Sequence, residues 1–199
     1  MSENARSDWA LIPNWLSAGR IVAALILPLM FLAFPQEQAE VYALALFVGA
    51  SLTDFFDGWL ARALNQTSAL GAKLDSWADK ALLFTTLAAL SATLFRDQPL
   101  FWLAAFLSVA REVGVTWLRA RFGRAGALSV SNAAKWKTVF QMTSAAILLG
   151  VGPTTRWFGE TSGETVYWAG LALFLIGFWL SLSSGVGYLR GALRASGWY

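Results

Sequence analysis

Six apolar runs, separated by short polar stretches, set the pattern of this chain. They cover roughly residues 21–34, 41–63, 76–94, 100–118, 133–151 and 166–189. Apolar runs approaching 20 residues predict helices that cross a bilayer. Pro35-Gln36-Glu37 closes the first run, Arg96-Asp97-Gln98-Pro99 the third and Gly152-Pro153 the fifth. Ahead of them, Asp8, Trp9, Pro13 and Asn14 interrupt the first 18 residues, which therefore do not read as a secretory signal. Trp9-Ala10-Leu11-Ile12 with Trp15-Leu16 reads instead as an amphipathic helix lying in the membrane interface. The expected fold is an all-α integral membrane protein. Residues 1–18 form the interfacial segment, and residues 19–199 form one domain of six transmembrane helices. No long linker, low-complexity tract or strong internal repeat divides it.

Composition agrees and narrows the chemistry. The chain is 57% hydrophobic and 14% charged, with mean hydropathy +0.53, against about 25% charged in soluble domains. At 199 residues, six spans leave no room for a separate soluble catalytic domain. There is no Cys and no His. That excludes disulfides, thiolate nucleophiles, Ser-His-Asp triads and Cys- or His-ligated metals. Catalysis must rest on carboxylates, Lys, Arg, hydroxyls or backbone. A bound metal must be a hard cation taken by oxygen, which favours Mg²⁺ or Mn²⁺.

The formal charge is only +3, but its distribution is lopsided. Alternating loops assign Arg6, Arg20, Arg62, Lys73, Lys80, Arg111, Arg119, Arg121, Arg124, Lys135, Lys137, Arg190 and Arg194 to one side. Only Arg96 and Arg156 fall on the other. The positive-inside rule then puts both termini in the cytoplasm. The basic run Arg119–Arg124 is explained by topology and is not a nucleic-acid site.

The chemistry concentrates between the second and third runs. Asp54 and Asp57 are spaced i,i+3, and Asp75 and Asp79 i,i+4, so each pair shares a helix face. A hairpin loop over about 65–70 would bring the pairs together at the cytoplasmic end. One carboxylate at the centre of a membrane helix costs about 2.5–3.5 kcal/mol. Four also repel one another, and a bound divalent cation relieves both penalties. Asp54, Gly58 and Ala61 share one stripe, and Gly71, Asp75 and Asp79 another. Gly58, Ala61 and Gly71 leave room for a ligand against backbone, or simply pack helices. Arg62 offers a fork for a phosphate, or anchors topology. Carboxylates, small residues and an Arg together suit a metal-bound nucleotide diphosphate. The Asp charges also admit a cation or proton pathway. A pathway would line the bilayer from face to face, whereas these charges gather at one side.

The string Asp54-x2-Asp57-Gly58-x2-Ala61-Arg62-x8-Gly71-x3-Asp75-x3-Asp79 resembles, at every fixed position, the signature of the CDP-alcohol phosphotransferases. Other stretches resemble the branch of that family that uses glycerol 3-phosphate. They are Ile12-Pro13-Asn14-Trp15-Leu16-Ser17 with Arg20, Ala110-Arg111-Glu112-Val113 with Leu118-Arg119, and Lys135-Trp136-Lys137-Thr138 with Gln141-Met142. One departure is Ser76 after Asp75, where many members of the branch carry Pro and inositol-phosphate-using relatives carry Ser.

The resemblance implies an enzyme that moves the phosphatidyl group of CDP-diacylglycerol to an acceptor alcohol and releases CMP. It implies that Asp54, Asp57, Asp75 and Asp79 bind one or two divalent ions and that Asp79 is also the general base. It gives Gly58, Ala61, Arg62 and Gly71 to the cytidine and diphosphate. It further implies a homodimer. The compact form suits a bacterial inner membrane, where membrane lipids surround it, and the Lys and Arg asymmetry puts the active site on the cytoplasmic side. The branch makes sn-glycerol 3-phosphate the expected acceptor. Phosphatidylglycerol, as in CDP-dependent cardiolipin synthases, and inositol phosphate are the alternatives. The acceptor's phosphate needs a second cationic grip. Arg111, Lys135 and Lys137, at the cytoplasmic ends of the fourth and fifth runs, are candidates for it, or else anchors and anionic-lipid contacts.

Overall fold

The computed structural model describes residues 12–63, 69–122 and 132–195, with side chains over 15–53, 71, 73–118, 121 and 136–186. Every regular element there is a helix: α1 (Ile12–Ala33), α2 (Gln36–Ala63), α3 (Ala69–Ala92), α4 (Pro99–Phe122), α5 (Asn132–Leu149), α6 (Val151–Phe158) and α7 (Glu160–Ala195). The six apolar runs correspond to α1–α5 and α7. The eight-residue α6 was not expected.

The helices outrun the apolar runs. α2 begins at Gln36 and α7 at Glu160, each about a turn and a half before its run. The runs mark what suits hydrocarbon, while the backbone stays helical beyond it. α1 is continuous from Ile12, so the described part of the expected interfacial segment forms its first two turns. Residues 1–11 lie outside the described residues. Among the described residues, three helical stretches are long and apolar enough to cross a membrane: Trp15–Ala33, Pro99–Leu118 and Glu160–Val186. Their exposed side chains include Leu25, Leu29, Leu32, Phe106, Leu175 and Trp179. That surface suits lipid, not water.

The chain divides into two compact units, Met1–Ala89 and Leu90–Tyr199. In the first, α1 packs on α2. The contact face of α2 reads Ala39, Ala43, Phe47 and Ala50, all buried, at helical spacing. Small side chains let membrane helices approach where lipid gives no hydrophobic drive. Pro28 sits inside α1 without ending it, as membrane helices tolerate when neighbours cover the freed carbonyl.

In the second unit α7 is the hub, packing on α4, α5 and α6. One seam of α7 is built from small residues. A Cβ added at Gly170 would stand 2.7 Å from Leu148 Cδ2, and one at Gly177 would stand 2.9 Å from Gln141 Cγ. Ser144 Oγ donates to the Gly170 carbonyl at 2.9 Å, tying α5 to the seam. The turn between α3 and α4 is held to α7 by aromatic rings. Phe95 stacks on Phe101 at 3.7 Å between centroids and lies 5.5 Å from Tyr167, whose hydroxyl accepts from Gln98 Nε2 at 3.0 Å. α5 stops at Leu149, just ahead of Gly152-Pro153, and helix resumes at once: Pro153 lies in the first turn of α6, where a missing N–H removes no intrahelical bond. A second break comes at Gly159, whose φ of +90° separates α6 from α7.

Candidate functional site

The third helix carries the described half of the carboxylate cluster. Asp75 and Asp79 stand one turn apart on α3, and both turn toward Arg20 of α1. Arg20 Nη2 donates to Asp75 Oδ1 at 2.8 Å, and Nη1 donates to Asp79 Oδ1 at 2.5 Å. The guanidinium side chain is fully buried, while Asp75 and Asp79 are 46% and 30% exposed. One cation therefore spans two like charges that would otherwise repel at i,i+4 spacing. The group retains one net negative charge when all three are ionised, and its carboxylates face outward from a buried cationic base.

Gly71 lies in the first turn of α3, on the stripe expected for it. Asp54, Asp57, Gly58, Ala61 and Arg62 fall on the last turns of α2. Their side chains lie outside the described residues. Accordingly no group of three or more acidic residues meets among the described residues. The donor chemistry of Asp75 and Asp79 still fits a hard divalent cation. Both are oxygen donors, partly exposed, and already brought together around a positive charge. Ser76, the residue that departs from the branch pattern, is exposed beside them.

A second ionic cluster lies inside the other unit. Arg111 of α4 and Lys137 of α5 both donate to Glu112 Oε1. The side chains of Arg111, Glu112 and Lys137 are only 9%, 13% and 7% exposed. Arg111 Nη2 also donates to Ser184 Oγ of α7 at 2.6 Å. Two buried cations meet at one carboxylate, and guanidinium and ammonium donors of this kind suit an anionic group such as phosphate. Of the three residues expected to grip the acceptor, Arg111 and Lys137 come together here. Lys135 is on α5 with its side chain outside the described residues.

Two participants were not anticipated. Arg20 read as a basic residue on the cytoplasmic side and, like Glu112, as part of a resembling stretch. A signal existed for both. Each is an ionisable residue within or beside an apolar helix, where a partner is required. Ser184 gave no such signal.

A model of the CDP-alcohol phosphatidyltransferase family matches residues 10–179. Among curated proteins, the chain is 44% identical over 147 residues to a CDP-diacylglycerol–glycerol-3-phosphate 3-phosphatidyltransferase of Cereibacter sphaeroides, covering 73% of this chain and 66% of that protein. It is 34% identical over 189 residues to the protein of the same name from Escherichia coli K12, covering 91% and 94%. It is 31% identical over 196 residues to a cardiolipin synthase (CMP-forming) of Oryza sativa subsp. japonica, covering 92% and 57%. The matched region thus spans just under two thirds of the first relative and little more than half of the last.

Proposed function

The chain belongs to the CDP-alcohol phosphatidyltransferase family, and we propose that it transfers the phosphatidyl group of CDP-diacylglycerol to sn-glycerol 3-phosphate. The products are phosphatidylglycerophosphate and CMP. The observation that carries the reading is the convergence of Asp75 and Asp79, the last two fixed positions of the eight-position signature, around one buried guanidinium. The relatives named for glycerol 3-phosphate support this acceptor. The rice relative, named as a cardiolipin synthase, supports the second reading, in which phosphatidylglycerol takes its place.

Each residue has a task in this scheme. Asp54, Asp57, Asp75 and Asp79 would hold one or two divalent ions, Mg²⁺ or Mn²⁺, which supply charge neutralisation for the diphosphate and for the departing CMP. Gly58, Ala61 and Gly71 line the cytidine and diphosphate site, and Arg62 forks onto its oxygens. Asp79 receives the proton of the acceptor hydroxyl as that oxygen bonds to the lipid-bearing phosphorus and the bond to CMP breaks. Without His or Cys, direct displacement is the simplest route. Arg111, Lys135 and Lys137 hold the acceptor's phosphate, with Glu112 fixing the direction of two of them. Six spans, α1–α5 and α7, with an interfacial N-terminal segment, both termini and the active site on the cytoplasmic side of a bacterial inner membrane, and a homodimer, complete the proposal.

The test is CMP release from purified protein with CDP-diacylglycerol and Mg²⁺. Glycerol 3-phosphate, phosphatidylglycerol and inositol phosphate are supplied separately. Release with glycerol 3-phosphate alone is expected, and Asp79→Asn should abolish it. Release with another acceptor alone would reassign the branch and direct attention to Ser76. Near-wild-type turnover by Asp79→Asn would remove its role as base.

A further inference from the structure

Arg20 is more than an anchor of topology. It sits in α1 with its side chain fully buried, and it spends its two terminal amines on two different carboxylates one turn apart on α3. A guanidinium can do this because its donors form a rigid planar fork, whereas an ammonium is a single point of charge. A buried cation requires compensation. Two neighbouring carboxylates repel, and a cation between them relieves that repulsion.

We propose that Arg20 is the resident counter-ion of the α3 carboxylate pair. It holds Asp75 and Asp79 in register while no divalent cation is bound, and an arriving cation must share those oxygens with it or displace it. Arg20 thereby sets the metal concentration at which the site fills. The inference rests on the reading of Asp75 and Asp79 as metal ligands. Two consequences follow. The metal-free protein depends on Arg20 more than the metal-loaded protein does. And the carboxylates bind a cation less tightly with Arg20 present than they would without it.

The experiment uses the full chain, purified in detergent and stripped with a chelator, as wild type, Arg20→Gln and Arg20→Lys. Mn²⁺ alone is titrated, with free ion followed by electron paramagnetic resonance and thermal unfolding recorded with and without it. Arg20→Gln, having lost the competing charge, should bind Mn²⁺ at least about fivefold more tightly. Its metal-free form should melt below wild type, and Mn²⁺ should close much of that gap, as linkage requires. Arg20→Lys keeps the charge without the fork. Its Mn²⁺ affinity should stay within about twofold of wild type, while its metal-free melting temperature falls.

Equal or weaker Mn²⁺ binding by Arg20→Gln would overturn the proposal. So would a melting gap of the same size with and without Mn²⁺, which is what a merely structural clamp gives. If Arg20→Gln does not fold, Arg20→Met, which likewise removes the charge but keeps an apolar stem in the buried position, decides on the same two readouts. The double variant Asp75→Asn/Asp79→Asn should lose Mn²⁺ binding. Retention there would overturn the metal-ligand reading itself, whatever Arg20 does.

Discussion

A buried charge in an apolar helix needs a partner. Glu112 meets that demand for two residues at once, since Arg111 and Lys137 both donate to its Oε1. Removing it leaves two cations that are less than a tenth exposed without their shared carboxylate. Glu112→Ala should therefore cost roughly 3–5 kcal/mol of stability, read as a lowered thermal transition in detergent. Replacing the whole triad by apolar groups of similar size, Arg111→Met, Glu112→Leu and Lys137→Met, should recover much of that loss. The triple variant separates two roles. If Lys137 grips the acceptor's phosphate, KM for glycerol 3-phosphate stays raised after stability returns. Recovery of both would make the cluster a structural clamp only. At this scale the sequence displayed the carboxylates plainly, because four Asp residues at fixed spacing in an apolar setting have few structural uses. Their partners were harder to see. Basic residues at span ends already have a role in topology, and that reading masked the burial of Arg20.

Along an element, hydrophobicity and helicity are different properties, and the differences between expected and observed boundaries follow from that. Apolar runs located α1–α5 and α7 but not their ends, since helices such as α2 and α7 continue into polar sequence. α6 escaped notice because Gly152, Pro153, Thr154 and Thr155 carry turn signals, although Pro is at home in a first helical turn. The small-residue seam of α7 is also sequence-visible, but only the packing shows which glycines are required. At Gly177 an added Cβ would meet not only the Gln141 side chain but its backbone nitrogen, at 3.2 Å. At Gly49 of α2 nothing lies within 4 Å. Gly177→Val should thus destabilise by about 1–3 kcal/mol through overpacking. Gly49→Ala should be neutral or stabilise by up to about 1 kcal/mol, from helix propensity alone. Equal shifts in thermal unfolding for the two variants would refute the seam as the close contact between α5 and α7.

For the whole molecule, the proposed orientation rests on a simple asymmetry. Thirteen of the fifteen Lys and Arg residues, by alternating loops, share one side, and such bias governs insertion. Helix length adds to the case. At 36 residues, α7 extends about 54 Å, well beyond a hydrocarbon core of about 30 Å. The excess at its C-terminal end carries Arg190 and Arg194, where a cytoplasmic surface with anionic lipids would receive them. The chain has no Cys, so each introduced Cys is a unique reporter. In bacterial spheroplasts, a membrane-impermeant maleimide should label Gln98→Cys, in the turn between α3 and α4, and Glu160→Cys, at the start of α7. Thr67→Cys and Ser129→Cys, in the connections after α2 and α4, should react only after lysis. Labelling of Thr67→Cys in intact spheroplasts would place the Asp54–Asp79 signature outside the cell, away from cytoplasmic glycerol 3-phosphate. Labelling of Gln98→Cys without Glu160→Cys would mean that α4 and α5 do not both cross. The orientation and the six-span arrangement are therefore tested separately, and neither depends on an activity assay.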